Sequence, residues 1–180
     1  GVILFKLVTC TTHGIPTLNN DELFRVFDEI ASFDGRCLIH CEDDAITEGN
    51  EIRLKKENRF DNGVIPEWRT ETAEEIAVAN VALMARLTGV TATIAHISHP
   101  FVIDLIKREV CPQYLFLTKE DVIEKGPLGK FTPPARSKED SKQLLNLVND
   151  GSIQLLSTDH APSTLEQKME GTIWDCNFGL

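Results

Sequence analysis

The sequence predicts an α/β fold in which parallel strands are joined by helical crossovers. Short, nearly continuous apolar runs alternate along the chain with segments that carry apolar residues at helical spacing. Apolar runs of this kind are typical of strands buried on both faces of a parallel sheet. At 180 residues the chain is long enough for one hydrophobic core and short for two. We therefore predict a single domain over residues 1–180.

The first half of the chain is predicted to contain two strands and two helices. The first helix is indicated by Leu23, Phe27 and Ile30, which share one helical face. The second has Thr70 as its N-cap and Met84 in its inward stripe, so Met84 is interpreted as core. In order, these elements are a strand at 1–10, a helix from Asp21 that ends at Gly35, a strand at 36–41, a polar irregular segment at 43–69 and a helix at 71–87.

The second half continues the alternation with three strands and two helices. Pro100 lies at the start of one helix, a position that tolerates proline. The glycines and prolines between residues 118 and 137 indicate a loop. In order, the elements are a strand at 90–97, a helix at 101–109, a strand at 110–117, the loop at 118–137, a helix at 138–148 and a strand at 153–158. Five strands result.

Composition excludes several classes of partner. The net charge of −10 repels phosphate backbones and anionic membrane surfaces. No apolar run approaches the roughly 18–20 residues of a membrane span, and no signal peptide is recognisable. The five cysteines contain no CxxC pair, which favours reduced thiols and a cytoplasmic protein. Cys41 and Cys111 are interpreted as small buried hydrophobic residues.

Groups able to bind a metal or transfer a proton collect at the predicted strand ends. Functional groups of parallel α/β proteins lie at the carboxyl ends of the strands. Two histidines and a carboxylate from different strands form a good ligand set for zinc or a similar ion. For the lysine alone, an edge residue that extends its ammonium into water is the simpler interpretation. The groups are Lys6, His40 with Glu42, His96 with His99, and Asp159 with His160.

Several of these stretches resemble the cyclic amidohydrolases, namely dihydroorotases, hydantoinases (dihydropyrimidinases) and allantoinases. The resemblance runs in the same order from the first residue to the last. It implies a TIM-type (β/α)8 barrel of which this chain holds about five parallel strands and is incomplete at both ends. The matching stretches are FKLV at Lys6, IHCE at His40, IAHISH at His96, CPQYLFL at 111–117, GKFTPPAR at 129–136 and STDHAP at 157–162.

The resemblance also implies a metal site. Lys6 is similar to a lysine that is carbamylated and bridges two divalent ions, expected to be zinc. His40 and His96 are similar to the two histidines that bind the second ion. Asp159 is similar to the aspartate that contacts the first ion and acts as general base and acid toward a metal-bridged hydroxide. The implied reaction is hydrolysis, or the reverse condensation, of a cyclic amide.

Further residues receive expected roles from the same resemblance. The segment 130–134, and within it Thr132 and Pro133, is similar to the loop that meets the substrate ring. His160 is expected to support the metal site without binding an ion. The resemblance implies a small cyclic amide as substrate, a cytoplasmic enzyme of the kind found in pyrimidine metabolism, and assembly as a dimer or tetramer.

The chain departs from the family pattern in four places. The HxH pair of the family's first strand is absent, so we expect a fragment without that part. Relatives have a turn and the first part of a strand between the helix at 101–109 and Cys111, and this segment is not recognisable here. Thr11 stands where hydantoinases have tyrosine, and Ser163 stands where dihydroorotases have histidine after DHAP. The substrate is therefore left open.

Two other classes of function compete with this interpretation. A scaffold or regulatory protein with the same fold but without metal is one, although all four implied ligands are present. A single-metal amidohydrolase, such as a dipeptidase or a deaminase, is the other. Deaminases generally lack the bridging lysine, so Lys6 argues against them.

Overall fold

The computed structural model describes residues 1–12, 14–100 and 106–180. Its five strands form one parallel sheet in the order β1-β2-β3-β4-β5. This confirms the predicted α/β class and the number of strands. The strands are β1 Phe5–Val8, β2 Arg36–His40, β3 Thr91–Ile94, β4 Lys107–Val110 and β5 Leu155–Leu156.

The strand order identifies the type of parallel sheet. In a doubly wound sheet the order reverses at a switch point, whereas strands of a (β/α)8 barrel follow one another around the sheet. Here every strand pairs with the next one in the chain and the order does not reverse. The fold is thus a five-stranded part of a TIM-type barrel.

The two faces of the sheet differ in burial. Cys37, Ile39 and Ile94 point to one face and are buried against the helices. On the other face, Lys6 is exposed, and its Cα partner Leu38 is only partly buried. This second face, which corresponds to the barrel interior, is open in the described chain, and it carries the residues discussed below.

Eight α-helices lie among the described residues. Asn19 caps α1 with a reciprocal capping box. Thr70 caps α4, which confirms the predicted N-cap of that helix. Gly89 ends α4 in the left-handed conformation, with φ of 78°. The helices are α1 Asn20–Ser32, α2 Asp44–Lys56, α3 Val64–Trp68, α4 Glu71–Thr88, α5 Pro112–Phe116, α6 Lys119–Lys125, α7 Lys138–Asn149 and α8 Leu165–Lys168, with a 3₁₀ turn at Gly126–Gly129. None of them is long and apolar enough to cross a membrane.

The strand predicted at 110–117 is wrong in position. The strand is β4 at Lys107–Val110, and Pro112 then begins α5, where its missing N–H has no intrahelical partner to lose. The helix predicted at 101–109 is accordingly wrong over 107–109, and residues 101–105 lie outside the described residues. The strand segment expected before Cys111 is therefore present, in residues predicted to be helical.

The segments predicted as irregular, 43–69 and 118–137, contain helices α2, α3 and α6. Charged pairs such as Glu51–Lys55, 2.6 Å apart, follow the i,i+4 spacing of α2. The helix buries few apolar side chains, Leu54 among them, so its apolar periodicity is weak. The sequence features that favour α2 are its i,i+4 charge pairs and the Asp43 cap. Neither feature is visible in the pattern of apolar residues.

Candidate metal centre

The structure brings His40 and His96 face to face at the carboxyl edge of the sheet. His40 is the last residue of β2, and His96 follows β3 by two residues. Their side chains approach with His40 Nδ1 3.0 Å from His96 Nε2, and both residues are buried. His96 has a φ of 37°, in the left-handed region that non-glycine residues adopt rarely.

The approach of these two nitrogens fits a shared metal ion. Two imidazole nitrogens bound to one tetrahedral zinc ion lie about 3.3 Å apart, because each Zn–N bond is about 2.0–2.1 Å long. The nitrogens here are separated by a similar distance and converge from neighbouring strands. In the absence of an ion, one of them must carry the proton that the other accepts.

A buried carboxylate orients His40 from behind. Glu42 is fully buried, and its Oε2 accepts hydrogen bonds from His40 Nε2 at 2.8 Å, Arg69 Nη1 at 3.1 Å and Thr132 Oγ1 at 2.6 Å. Burial by itself raises the pKa of Glu42, but the charge of Arg69 and the hydrogen bonds from His40 and Thr132 outweigh it and lower that pKa. Glu42 is thus ionised at neutral pH.

His96 is held in the neutral form that a metal ligand requires. Burial, followed by the proximity of His40 and Lys6, lowers the pKa of His96 well below its ordinary value. The backbone N–H of His96 donates to Glu109 Oε2 at 3.3 Å, and Ile97 donates its N–H to the Glu109 carbonyl at 2.9 Å. The start of the loop after β3 is therefore tied to β4.

Lys6 lies within β1 and Asp159 follows the end of β5, and both residues are exposed. Lys6 belongs to the open face, and its register partner Leu38 is two residues before His40. Asp159 follows β5 with a φ of 46°, and its charge reaches Cys111, the residue after β4. Neither side chain forms a hydrogen bond or ion pair with another residue of the described ranges. Their roles as metal ligands stay predictions.

A second group of potential ligands lies behind His40. Sγ of Cys10, a nitrogen of His40 and a carboxylate oxygen of Glu42 all fall within 4.8 Å of one another. Arg69 Nη1, however, is 3.2 Å from the sulfur and 3.1 Å from the carboxylate. Because this guanidinium repels a cation, we interpret the cluster as a hydrogen-bonded network, and the space between His40 and His96 is the better candidate for a metal position.

The predicted substrate loop lies beside the same carboxylate. Thr132 donates to Glu42, and the Thr132–Pro133 peptide bond is cis. The buried hydroxyl of Tyr114 donates to the Pro133 carbonyl at 2.9 Å. The Lys130 ammonium is turned away and donates to three backbone carbonyls, of Ile173, Trp174 and Cys176. The loop is thus fixed at both ends.

Two other histidines that end predicted strands occupy different surroundings. His160 is exposed, and its backbone N–H donates to the Thr158 hydroxyl at 3.3 Å. The supporting role expected for its imidazole stays a prediction. His99 is buried, with Nε2 3.9 Å from Glu74 Oε2. His99 therefore belongs to a network on α4.

That network stabilises the loop after His96. Glu74 accepts from the Ser98 backbone N–H at 2.9 Å and from the Ser98 hydroxyl. Arg136 Nη2 donates to Glu74 at 3.2 Å, its Nε to the Ser98 hydroxyl at 2.7 Å, and its Nη1 to the Arg69 carbonyl at 2.6 Å. Arg136 thereby connects the loop after His96 with Arg69, which contacts Glu42 beside His40.

Four residues of these networks have no local signal in the sequence, namely Arg69, Glu74, Glu109 and Arg136. The contact between His40 and Glu42 does have one, because residues i and i+2 along an extended strand face the same side. No comparable pattern joins Arg69 or Arg136 to their partners, which are distant in sequence.

The comparisons with known proteins agree with this fold. No protein-family profile matches the chain. It is 29% identical over 168 residues to a dihydroorotase of Clostridioides difficile, covering 88% of this chain and 39% of that protein. It is 30% identical over 186 residues to an allantoinase of Bacillus velezensis, covering 97% of this chain and 41% of that protein.

Solved structures give the same result for the backbone. A D-hydantoinase (dihydropyrimidinase) from Thermus sp. superposes with a TM-score of 0.92 at 21% identity, over 100% of this chain and 42% of that one. An L-hydantoinase (dihydropyrimidinase) from Arthrobacter aurescens gives 0.90 at 25% identity, over 99% and 43%. The chain spans about two fifths of the length of the curated relatives it matches.

Proposed function

Because this chain belongs to the cyclic amidohydrolases, we propose that the protein catalyses the metal-dependent hydrolysis, or the reverse condensation, of a cyclic amide bond. The observation that carries the proposal is the buried pair of His40 and His96, whose ring nitrogens converge at 3.0 Å while Glu42 orients one of them. The names of the sequence relatives and of the solved structures support a cyclic amide as the substrate class. These names are dihydroorotase, allantoinase and hydantoinase.

The proposed site divides the work between metal and protein. His40 and His96 would hold one divalent ion, expected to be zinc, and Lys6 in its carbamylated form would bridge it to a second. When bound, the ions polarise the amide carbonyl and make water more acidic. Asp159 takes the proton of the attacking water and returns it to the leaving nitrogen. Its exposed position at the open face leaves its carboxylate accessible to substrate.

Thr132 and Pro133 provide the substrate contact in this proposal. Their side of the site is anchored by Glu42 and Tyr114. Both anchors are buried, so the loop can present its backbone to a ring amide without reorganising. His160 is proposed to support Asp159, its neighbour in the chain.

The test is a ring-opening assay of the full-length protein combined with metal analysis of the same sample. The substrates are dihydroorotate, dihydrouracil, hydantoin and allantoin, and we expect turnover of one of them together with bound divalent metal. His40→Ala and His96→Ala variants should lose both metal and turnover. A full-length protein that binds no divalent ion and opens none of the four rings, with or without added zinc, contradicts the proposal in favour of a scaffold role.

We also propose a cytoplasmic homo-oligomer, a dimer or a tetramer. All five cysteines are buried as free thiols, which suits a reducing compartment. Assembly is expected from the resemblance alone. Light scattering of the full-length protein measures it directly, and a monomeric mass at micromolar concentration contradicts it.

A further inference from the structure

One carboxylate oxygen joins the candidate metal ligand to the candidate substrate loop. Glu42 Oε2 accepts from His40 Nε2, from Arg69 and from Thr132, all within 3.1 Å. These donors come from three separate parts of the chain, namely β2, the residue after α3 and the loop at 130–134. Such a shared acceptor makes the positions of its donors depend on one another.

We infer that Glu42 is a positioning residue: it fixes the tautomer of His40 for metal binding and, through the same oxygen, holds Thr132 in the substrate loop. The inference rests on the proposed function and deepens it. Glu42 touches neither ion nor substrate in this scheme. It acts through the two residues that do.

The tautomer follows from the chemistry of the contact. An ionised carboxylate only accepts hydrogen bonds, so His40 Nε2 must carry the proton of the 2.8 Å contact. His40 Nδ1 then bears the lone pair, and this is the nitrogen that points at His96 Nε2. Without the carboxylate the proton can sit on Nδ1, and a protonated nitrogen cannot bind a metal ion.

Arg69 balances the charge of the Glu42 carboxylate in its fully buried position and holds it in place. Its Nη1 lies 3.1 Å from Oε2, and its guanidinium also stacks 4.5 Å from the ring centroid of Trp68. The oxygen that accepts from His40 is thereby fixed from a second side.

The experiment compares Glu42→Gln with the parent in the full-length protein, using zinc affinity as the readout. Affinity is measured by competition with a chromophoric chelator, and the visible spectrum of the cobalt-substituted protein reports the ligand geometry. We expect zinc affinity to fall about 10- to 100-fold, the loss typical of removing a carboxylate that orients a metal-binding histidine. The cobalt spectrum should change as well.

Glu74→Gln is the matched control. Glu74 is an equally buried carboxylate with an arginine partner, Arg136, at 3.2 Å, but it contacts neither His40 nor His96. We expect Glu74→Gln to lose stability as Glu42→Gln does. Because Glu74 holds the loop after His96 through Ser98 and contacts neither proposed ligand directly, its loss of zinc affinity should be clearly smaller than that of Glu42→Gln, and the form of the cobalt spectrum should be kept. Glu42→Asp serves where Glu42→Gln fails to fold: it keeps a charge for Arg69 but withdraws the oxygen from His40, so the loss of affinity should persist.

The outcomes separate the two levels of the proposal. Parent-like zinc affinity and cobalt spectrum in Glu42→Gln, or in Glu42→Asp where Gln does not fold, overturn the inference and leave the proposed function intact. Equal losses in the Glu42 and Glu74 variants also overturn it, because the effect is then one of general stability. A parent protein that binds no divalent metal contradicts the proposed function itself and the inference with it.

Discussion

At the scale of single residues, the candidate site depends on buried charges that are paired. Glu42 with Arg69 and Glu74 with Arg136 are both almost inaccessible to water. Removing one partner of such a pair leaves an uncompensated charge, which typically destabilises a protein by about 3–5 kcal/mol. These pairs therefore hold the segments that carry His40 and His96 in one arrangement. A single substitution in either pair can unfold it.

The Glu42 pair predicts a pH dependence of stability. The ordinary pKa of this carboxyl is 4.5, its value in the unfolded chain, and Arg69, His40 and Thr132 lower it in the folded state despite burial. Where the two states differ, the unfolded chain binds more protons. The stability contributed by Glu42 is thus complete above about pH 5 and is lost as the pH falls through the lowered folded pKa.

Urea denaturation measures this contribution. The free energy of unfolding of the parent should fall more steeply between about pH 5 and pH 3 than that of Glu42→Gln, because the variant lacks the titrating group. The two proteins should respond alike between about pH 6 and pH 8. Parallel curves over the acidic range would show that the pKa of Glu42 is the same in the folded and the unfolded protein, and would contradict the prediction.

At the scale of elements, side-chain caps fix where helices begin. Four helices of the described residues carry reciprocal capping boxes, among them α7, in which Ser137 and Asp140 satisfy one another's backbone N–H groups. Helix α7 precedes β5, and Ile153 donates its N–H to Leu147 within α7 at 2.9 Å. The placement of Asp159 after β5 therefore depends on where α7 begins and ends.

The cap of α7 can be tested by one substitution. Ser137→Ala removes the oxygen that accepts from Asp140 N–H at 3.2 Å, and we expect the free energy of unfolding to fall by about 1 kcal/mol. Ser137→Asn, another good N-cap, should stay within a few tenths of a kcal/mol of the parent. Thermal or urea denaturation of the full-length protein measures both. Equal stability of the alanine variant would mean that the cap contributes nothing.

At the scale of the whole molecule, the main feature is that the sheet is open and has two edge strands. The sheet order ends at β1 on one side and β5 on the other, and an eight-stranded barrel has no such edges. Apolar side chains near these edges are exposed, with Ile3 at 86%, Val2 at 72% and Leu156 at 56%. Exposed strand edges of this kind pair with other chains.

We therefore expect a polypeptide of residues 1–180, produced alone, to self-associate. Size-exclusion chromatography with light scattering should give a mass well above the 20.1 kDa of the monomer. Leu156→Lys places a charge on the edge strand β5 and should reduce the association. A monodisperse monomer of the unaltered polypeptide at micromolar concentration would contradict the expectation.

The sequence by itself determined the α/β class, the five strands, and the strand-end positions of the groups in the candidate site. These follow from local patterns: continuous apolar runs, helical spacing, and caps such as Thr70. Its errors lay where local patterns are ambiguous. The apolar run after Cys111 fits a buried helix as well as a strand, and β4 contains Lys107, Arg108 and Glu109, which no apolar pattern marks as strand.

Only the tertiary structure decided which strand-end groups meet. The register between β2 and β3 sets His40 against His96, and the fold places Arg69 and Thr132 on Glu42 across separations of 27 and 90 residues. Contacts over such distances leave no periodic trace in a single sequence. They arise because buried polar atoms must find partners, and the packed fold alone determines which partners are within reach.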